Sequence, residues 1–386
     1  MATPATVQWT EAGEPREVRW RSERGAPPPH RIEIVDDGTT ADAAYGLACQ
    51  GTGLLWRGDF QNARQMLNAL AARADRPARK AKRAASPSPG SPAMATAFHA
   101  MRQARSQRAR TLGMLLIELE PDYAIALRRA PDWRQACVEA YGPGEERSLV
   151  ALRELLGIVG AHEWRVKGID VPAAGGRIHP HYGVFAPVRR EYVDLVASAP
   201  LPAGAGQGRA FDIGTGTGLL AAVLAQRGVA HVVATDHDPR ALACARENCE
   251  RLGLRDRVEV VDADLFPDGR AALVVCNPPW IPARPGSPLE HAIYDAEGRM
   301  LRGFLAGLTA HLEPAGEGWL VLSDLAEHLA LRTRADLLAA FAAAQLRVVD
   351  RLDVRPVHAK ASAADDPLHA ARSLEVTSLW RLAAAD

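Results

Sequence analysis

The chain has no excess charge of either sign. Its 46 lysines and arginines balance 46 aspartates and glutamates, so no global field argues for nucleic acid or a membrane surface. No stretch of 18 or more apolar residues occurs, and a membrane-spanning helix is not expected. The opening MATPATVQWTEAGEPRE lacks the apolar run of a secretory leader, and an untargeted, cytoplasmic protein is expected. The five cysteines (Cys49, Cys137, Cys244, Cys249, Cys276) are odd in number and form no C-x-x-C, which fits reduced thiols. No internal repeat and no metal spacing appear. His179-Pro180-His181 has no cysteine or acid cluster beside it and is expected to be a structural loop, with no metal.

What is present is concentrated between Arg209 and Pro282. Ala210 to Ile213 is a short apolar run stopped by glycines, the pattern of a buried parallel strand. The turn Asp212-Ile213-Gly214-Thr215-Gly216-Thr217-Gly218 follows, then the helix-favouring Leu219 to Arg227 with Gly228 as its stop. Glycines at 214, 216 and 218 permit positive φ and let a ligand lie on bare main chain at a helix N-terminus. Two other phosphate signatures are missing. No lysine follows as a P-loop needs, and Leu219 stands where the dinucleotide fingerprint needs glycine.

The next strand, His231 to Thr235, ends on Asp236, placed to accept two hydrogen bonds from a ribose diol. Asp238 precedes Pro239 as a helix cap. A third strand, Val258 to Val261, leads to Asp262-Ala263-Asp264-Leu265. An acid there can accept from an adenine amino group while Leu265 packs on the ring. The fourth strand, Ala272 to Cys276, delivers Asn277-Pro278-Pro279-Trp280 at its carboxyl end, where open α/β sheets bind ligands.

These residues together resemble class I S-adenosylmethionine-dependent methyltransferases. Among them the likeness is to the small-methyltransferase-domain group, which holds release-factor glutamine methyltransferases and enzymes that methylate base amines of RNA or DNA. The likeness runs over roughly residues 180 to 382. It implies S-adenosyl-L-methionine as cofactor, with Gly214, Gly216 and Gly218 along its methionine portion and Asp212 near its amino group. Asp236 would hold the ribose, and the family's register favours Asp264 over Asp262 at the adenine, beside Leu265. It also implies a Rossmann-like, doubly wound seven-stranded sheet whose last strand is antiparallel.

The chemistry explains the residue types. A side-chain amide or an exocyclic base amine has its nitrogen lone pair delocalised into a π system. If Asn277 accepts one N–H and the Pro278 carbonyl the other, the lone pair is aimed at the methyl group. The prolines fix φ near −65°, and Trp280 offers a flat wall worth roughly 1–3 kcal/mol to a stacked base. The catalytic candidates are therefore Asn277, Pro278 and Trp280, Asn277 also facing the cofactor, and their work is orientation.

The length suggests two domains. Residues 1–160 are expected to form a mainly helical N-terminal domain, suited to substrate recognition. Thr39 and Asp42 suggest a capping box, and Phe60, Ala63, Leu67 and Leu70 fall on one helical stripe. Helical periodicity is read over Met101 to Leu127 and over Ser148 to His162. Between Arg73 and Arg110 ten basic residues meet one acid, Asp75. Residues 73–97 are expected to be a basic, Ser/Pro-rich mobile loop. Arg79, Lys80, Lys82 and Arg83 are the candidates for contacting phosphates; a merely solvated linker is the alternative. Residues 161–200 form a lead-in segment and helix. Its Phe185-Ala186-Pro187-Val188-Arg189 approximates the aromatic-x-Pro-Arg lead-in of similar glutamine enzymes and suggests a substrate-side role for Tyr182, Phe185 or Arg189. Residues 201–386 are the methyltransferase domain.

The expected function is N-methyl transfer to a planar nitrogen of a macromolecule, first a base amine in RNA. A glutamine amide in a translation-related protein is the alternative, and a catalytically silent binding module is the alternative of another class.

Overall fold

A computed structural model describes residues 5–76, 87–286, 288–356 and 366–385. The chain divides into two units, Met1–Ala84 with Ala100–Glu163, and Ala85–His99 with Trp164–Asp386. Arg79, Lys80, Lys82 and Arg83 lie outside the described residues.

In the first unit β1 (Thr6–Glu11) and β2 (Glu14–Arg21) form a hairpin. Ala12 and Gly13 close it at φ 53° and 86°, a two-residue turn whose twist matches that of the strands. Then follow β3 (Arg31–Val35), α1 (Ala41–Cys49), β4 (Thr52–Trp56), α2 (Phe60–Ala74), α3 (Pro92–Leu112), β5 (Leu115–Leu119), α4 (Arg134–Tyr141), β6 (Ser148–Ala151) and α5 (Leu152–Lys167), with α3 up to His99 and α5 from Trp164 belonging to the second unit. The strands make a six-stranded mixed sheet in the order β1-β2-β6-β5-β4-β3.

The N-terminal half, expected to be mainly helical, also holds this six-stranded sheet. Helices α1, α2, α4 and α5 contribute to the apolar core on one face of it, and Phe60, Ala63, Met66, Leu67 and Leu70 of α2 are buried as the stripe requires. The misread stretches are apolar runs. Ser148–Ala151 is buried at every residue, and Leu115–Leu119 at all but one; a run buried on both faces carries no period of two. The cap of α1 is Thr40, whose side chain accepts from Ala43 N, one residue beyond the expected Thr39. Of the expected loop 73–97, Arg73 and Ala74 close α2, and Pro92 opens α3, proline being suited to a first helical turn.

The second unit begins with a short hairpin, β7 (Ile169–Val171) and β8 (Gly176–Ile178), and α6 (Glu191–Ser198). The repeating part is β9 (Arg209–Ile213), α7 (Leu219–Gln226), β10 (His231–Asp236), α8 (Pro239–Arg251), β11 (Val258–Asp262) and β12 (Ala271–Cys276). After it come α9 (Arg299–His311), β13 (Leu312–Ser323), α10 (Leu325–His328), α11 (Arg334–Ala343), β14 (Leu346–Val354), α12 (His369–Arg372) and β15 (Thr377–Ala384).

The order is β11-β10-β9-β12-β13-β15-β14. Adjacent pairs from β11 to β13 are parallel, and β15 is antiparallel to both of its neighbours. This is the expected α/β, Rossmann-like sheet with an antiparallel last strand. One apolar core packs α6 and α7 (Val193, Val196, Leu220, Val223) on one face. The other packs α9 and α11 (Phe304, Leu308, Leu337, Phe341) on the opposite face. Burial on both faces explains why β9 and β12 read as continuous apolar runs.

Candidate functional site

The glycine turn joins β9 to α7, and its three glycines, at φ 70°, 56° and 78°, meet three different surroundings. A Cβ at Gly218 would stand 3.2 Å from Ala245 Cα, so this glycine lets α8 approach the turn. A Cβ at Gly214 would collide with the Met300 methyl group. At Gly216 a Cβ would meet nothing within 4 Å. The bare main-chain face expected along all three is thus open at Gly216, while a flexible methionine covers Gly214 and α8 backs Gly218.

Two buried polar groups hold this turn. Asp212, 1% exposed, accepts from Thr215 Oγ1 at 2.6 Å and Ala221 N at 3.0 Å, both through Oδ2. Burial pushes its pKa up to about 6, against the lowering effect of those two bonds. Asp212 therefore sits beneath the turn and braces it against the first residues of α7. Asn248 of α8, also 1% exposed, donates to Thr217 O at 3.0 Å and accepts from His179 N at 2.8 Å. His179 and His181 are satisfied by Arg165 O and Glu247 respectively. Among the described residues no group of three or more His, Cys, Asp or Glu is arranged to hold a metal ion, and no helix is long and apolar enough to cross a membrane.

Asp236 ends β10 facing the same turn. Its Oδ2 accepts from Gly216 N and its Oδ1 from Asp238 N, each at 3.0 Å; Asp238 caps α8 through Arg240 N. Asp262 pairs in register with Asp236 and is exposed. Asp264 is exposed as well and meets Arg299 Nη2 at 3.1 and 3.2 Å. Leu265 takes φ +78°, a conformation costing a non-glycine residue about 1–2 kcal/mol. Thr235 Oγ1 donates to its carbonyl at 2.6 Å, and its side chain packs on α9 at Gly303.

The segment after β12 is placed by register. β12 pairs with β9 so that Cys276 lies opposite Ile213, and the next residues of the two chains are Asn277 and Gly214. Pro278 is buried, while Asn277 and Trp280 are half-buried. Trp280 Nε1 donates to Asn277 Oδ1 at 2.9 Å. The Arg189 guanidinium lies 5.4 Å from the Trp280 ring centroid. Beyond the motif, Asp295 N donates to Ile281 O at 2.9 Å, while the Asp295 carboxylate accepts from Met300 N and Leu301 N, each at 3.1 Å. That cap on α9 brings Met300 over Gly214.

The structure thus gathers Gly214, Gly216, Asp236, Asn277 and Trp280 at the carboxyl ends of β9, β10 and β12. Asp264 and Leu265 follow β11 one strand further out, and Asp212 lies under the turn. Asn248, Met300 and the contact of Arg189 with Trp280 were not read from the sequence. For Met300 a signal existed in Asp295, an acid shortly ahead of the helix-favouring Met300 to Leu312.

Residues 176–346 match the family model of the methyltransferase small domain. A release factor glutamine methyltransferase of Cereibacter sphaeroides is 36% identical over 160 residues, 38% of this chain and 56% of that protein. A tRNA1(Val) (adenine(37)-N6)-methyltransferase of Shewanella amazonensis is 34% identical over 152 residues, 36% of this chain and 62% of that protein. A ribosomal protein L11 methyltransferase of Pelotomaculum thermopropionicum is 46% identical over 72 residues, 18% of this chain and 23% of that protein. The chain spans less than two thirds of the length of each. The matched segment encloses the glycine turn, Asp236 and Asn277–Trp280. The likeness to methyltransferases is thus carried by residues 176–346, the segment that matches the methyltransferase small domain.

Proposed function

We propose that the protein transfers a methyl group from S-adenosyl-L-methionine to a planar nitrogen of a macromolecule, first an exocyclic base amine of RNA. The observation that carries this reading is Asn277 directly after the strand residue that pairs with Ile213, at the start of the glycine turn, its amide oxygen fixed by Trp280.

The residues present fit the cofactor. Space is open over Gly216, and the Asp236 carboxylate borders it, with oxygens able to accept further hydrogen bonds from a diol. Asp264 and Leu265 would serve the adenine end, and Gly214 the methionine end once the Met300 side chain turns aside, as a flexible thioether can. When bound, the sulfonium supplies an electrophilic methyl group. The chain's residues orient the acceptor. Asn277 Oδ1 keeps one lone pair beyond the bond from Trp280 and takes one acceptor N–H, while the Pro278 carbonyl takes the other. The nitrogen lone pair is left pointing away from both.

RNA is favoured by Trp280, which offers more area for stacking than the tyrosine usual in glutamine enzymes. The second reading, a glutamine amide, is supported by the 160-residue likeness to the Cereibacter enzyme. Incubation with methyl-labelled cofactor on total RNA and on total protein separates them: label in RNA is expected, and label in protein alone overturns the RNA reading.

A further inference from the structure

We propose that Arg189 and Glu375 form a positioning pair for Trp280 and, through it, for the Asn277 amide. The inference rests on the reading of Asn277 as the group that holds the acceptor nitrogen, and it extends that reading to residues distant in sequence.

An indole N–H can only donate. The atom of Asn277 that meets Trp280 Nε1 at 2.9 Å is therefore the oxygen, because the reversed amide would set two donors against each other. Trp280 thus does more than offer a flat face. It selects which end of the Asn277 amide stands at that position, and the selection lasts only while the indole stays put.

The indole is held from Arg189. The guanidinium stands 5.4 Å from the ring centroid, within the range of a cation over an aromatic face. Arg189 is itself fixed by Glu375, with Nη1 to Oε1 at 3.0 Å. The Glu375 side chain is fully buried, and Ser323 Oγ donates to the same oxygen at 2.8 Å. Ser323 ends β13, the strand next to β12, and also accepts from Leu325 N.

A buried carboxylate needs its cation, and removing the cation leaves an uncompensated charge. Arg189 is therefore bound to the sheet end and does not serve as a substrate contact, the role its place in the lead-in had suggested. The relay runs Ser323, Glu375, Arg189, Trp280, Asn277, and joins the lead-in segment to the loop before β15.

The test uses the full chain with Arg189→Gln, Arg189→Lys and Glu375→Gln. Trp280 is read alone by subtracting the emission of each protein's Trp280→Phe counterpart from its own. Three quantities are followed: acrylamide quenching of Trp280, S-adenosylhomocysteine affinity by calorimetry, and methyl transfer to total RNA and total protein. Arg189→Gln is expected to make Trp280 more quenchable, leave the affinity unchanged, and lower kcat about two- to threefold without raising KM. Arg189→Lys, which keeps the ion pair but not the planar stack, should recover part of both losses. If Arg189→Gln does not fold, Glu375→Gln carries the same expectations, since it keeps volume and an acceptor for Ser323. Unchanged Trp280 quenching overturns the proposal, as does a rise in KM with kcat intact, which would make Arg189 a substrate contact. If the wild type methylates neither RNA nor protein, the functional reading falls, while the quenching still judges the pair.

Discussion

The proposed cofactor side and the proposed acceptor side of this site are held together differently. Around the glycine turn the ties are short in sequence and mostly to main chain: Asp212 to Thr215 and Ala221, Asp236 to Gly216 and Asp238, Thr215 N to Thr235 O. Around Asn277 they are side chain to side chain, and one of them joins residues 186 positions apart. A main-chain frame is set once the sheet forms. A side-chain relay keeps its geometry only while every member is present. Substitutions on the first side should therefore cost binding or stability, and on the second rate.

The sharpest way to break this contrast is Asn277→Ala. Methyl transfer should fall by roughly a hundredfold to a thousandfold, the size seen when one preorganised polar contact is removed, with S-adenosylhomocysteine affinity by calorimetry unchanged. Lost affinity with rate intact would erase the division. Asp236→Ala should act oppositely, weakening that affinity roughly ten- to a hundredfold for the loss of charge-assisted bonds worth about 1.5–3 kcal/mol. The glycines sharpen the comparison within the turn. Gly216→Ala has room for its Cβ and should cost about 1–2 kcal/mol for its positive φ while blocking cofactor. Gly218→Ala must also push on Ala245, and its urea midpoint should fall further. Trp280→Phe keeps a ring but loses the N–H; its rate should drop only several-fold, for a bond worth about 0.5–1.5 kcal/mol.

The smallest effect is one of pH. Asp212 titrates in the folded protein near 6, above the ordinary 3.8. The folded state therefore binds its proton more tightly than the unfolded chain does. The ionised carboxylate opposes folding above about pH 6, and that opposition lifts as pH falls through 6 toward 4. Asp212→Asn should remove this component, so the wild-type advantage in urea midpoint should shrink as pH rises across that window.

What was legible in the sequence follows the same division. The turn, Asp236 and the Asp238 cap were expected because each is encoded within a few residues or by a motif with fixed spacing, while the antiparallel last strand was expected only from the family resemblance. Arg189 was noticed only as part of an imperfect lead-in, and Glu375 not at all. Nothing local marks a glutamate whose partner is set by how β13, α6 and β15 converge. The first unit's sheet was hidden for another reason. Ser148–Ala151 is a strand immediately followed by α5, and the leucines of both merge into one apparent helical stripe. The pairing of β6 with β5 and β2 decides the issue, and pairing has no signature in a short apolar run.

Helix α3 carries a consequence for dissecting this protein. Its residues through His99 are counted with the second unit and those from Ala100 with the first. The polypeptide thus enters the second unit, leaves it, and returns at Trp164. Cutting at Glu163 strips that half of the insert bearing Gly90, whose N–H bonds His328 O at 2.7 Å, and Phe98, whose ring lies 6.5 Å from that of Tyr294. Neither fragment of such a cleavage is an intact module, and the two halves are covalently interleaved.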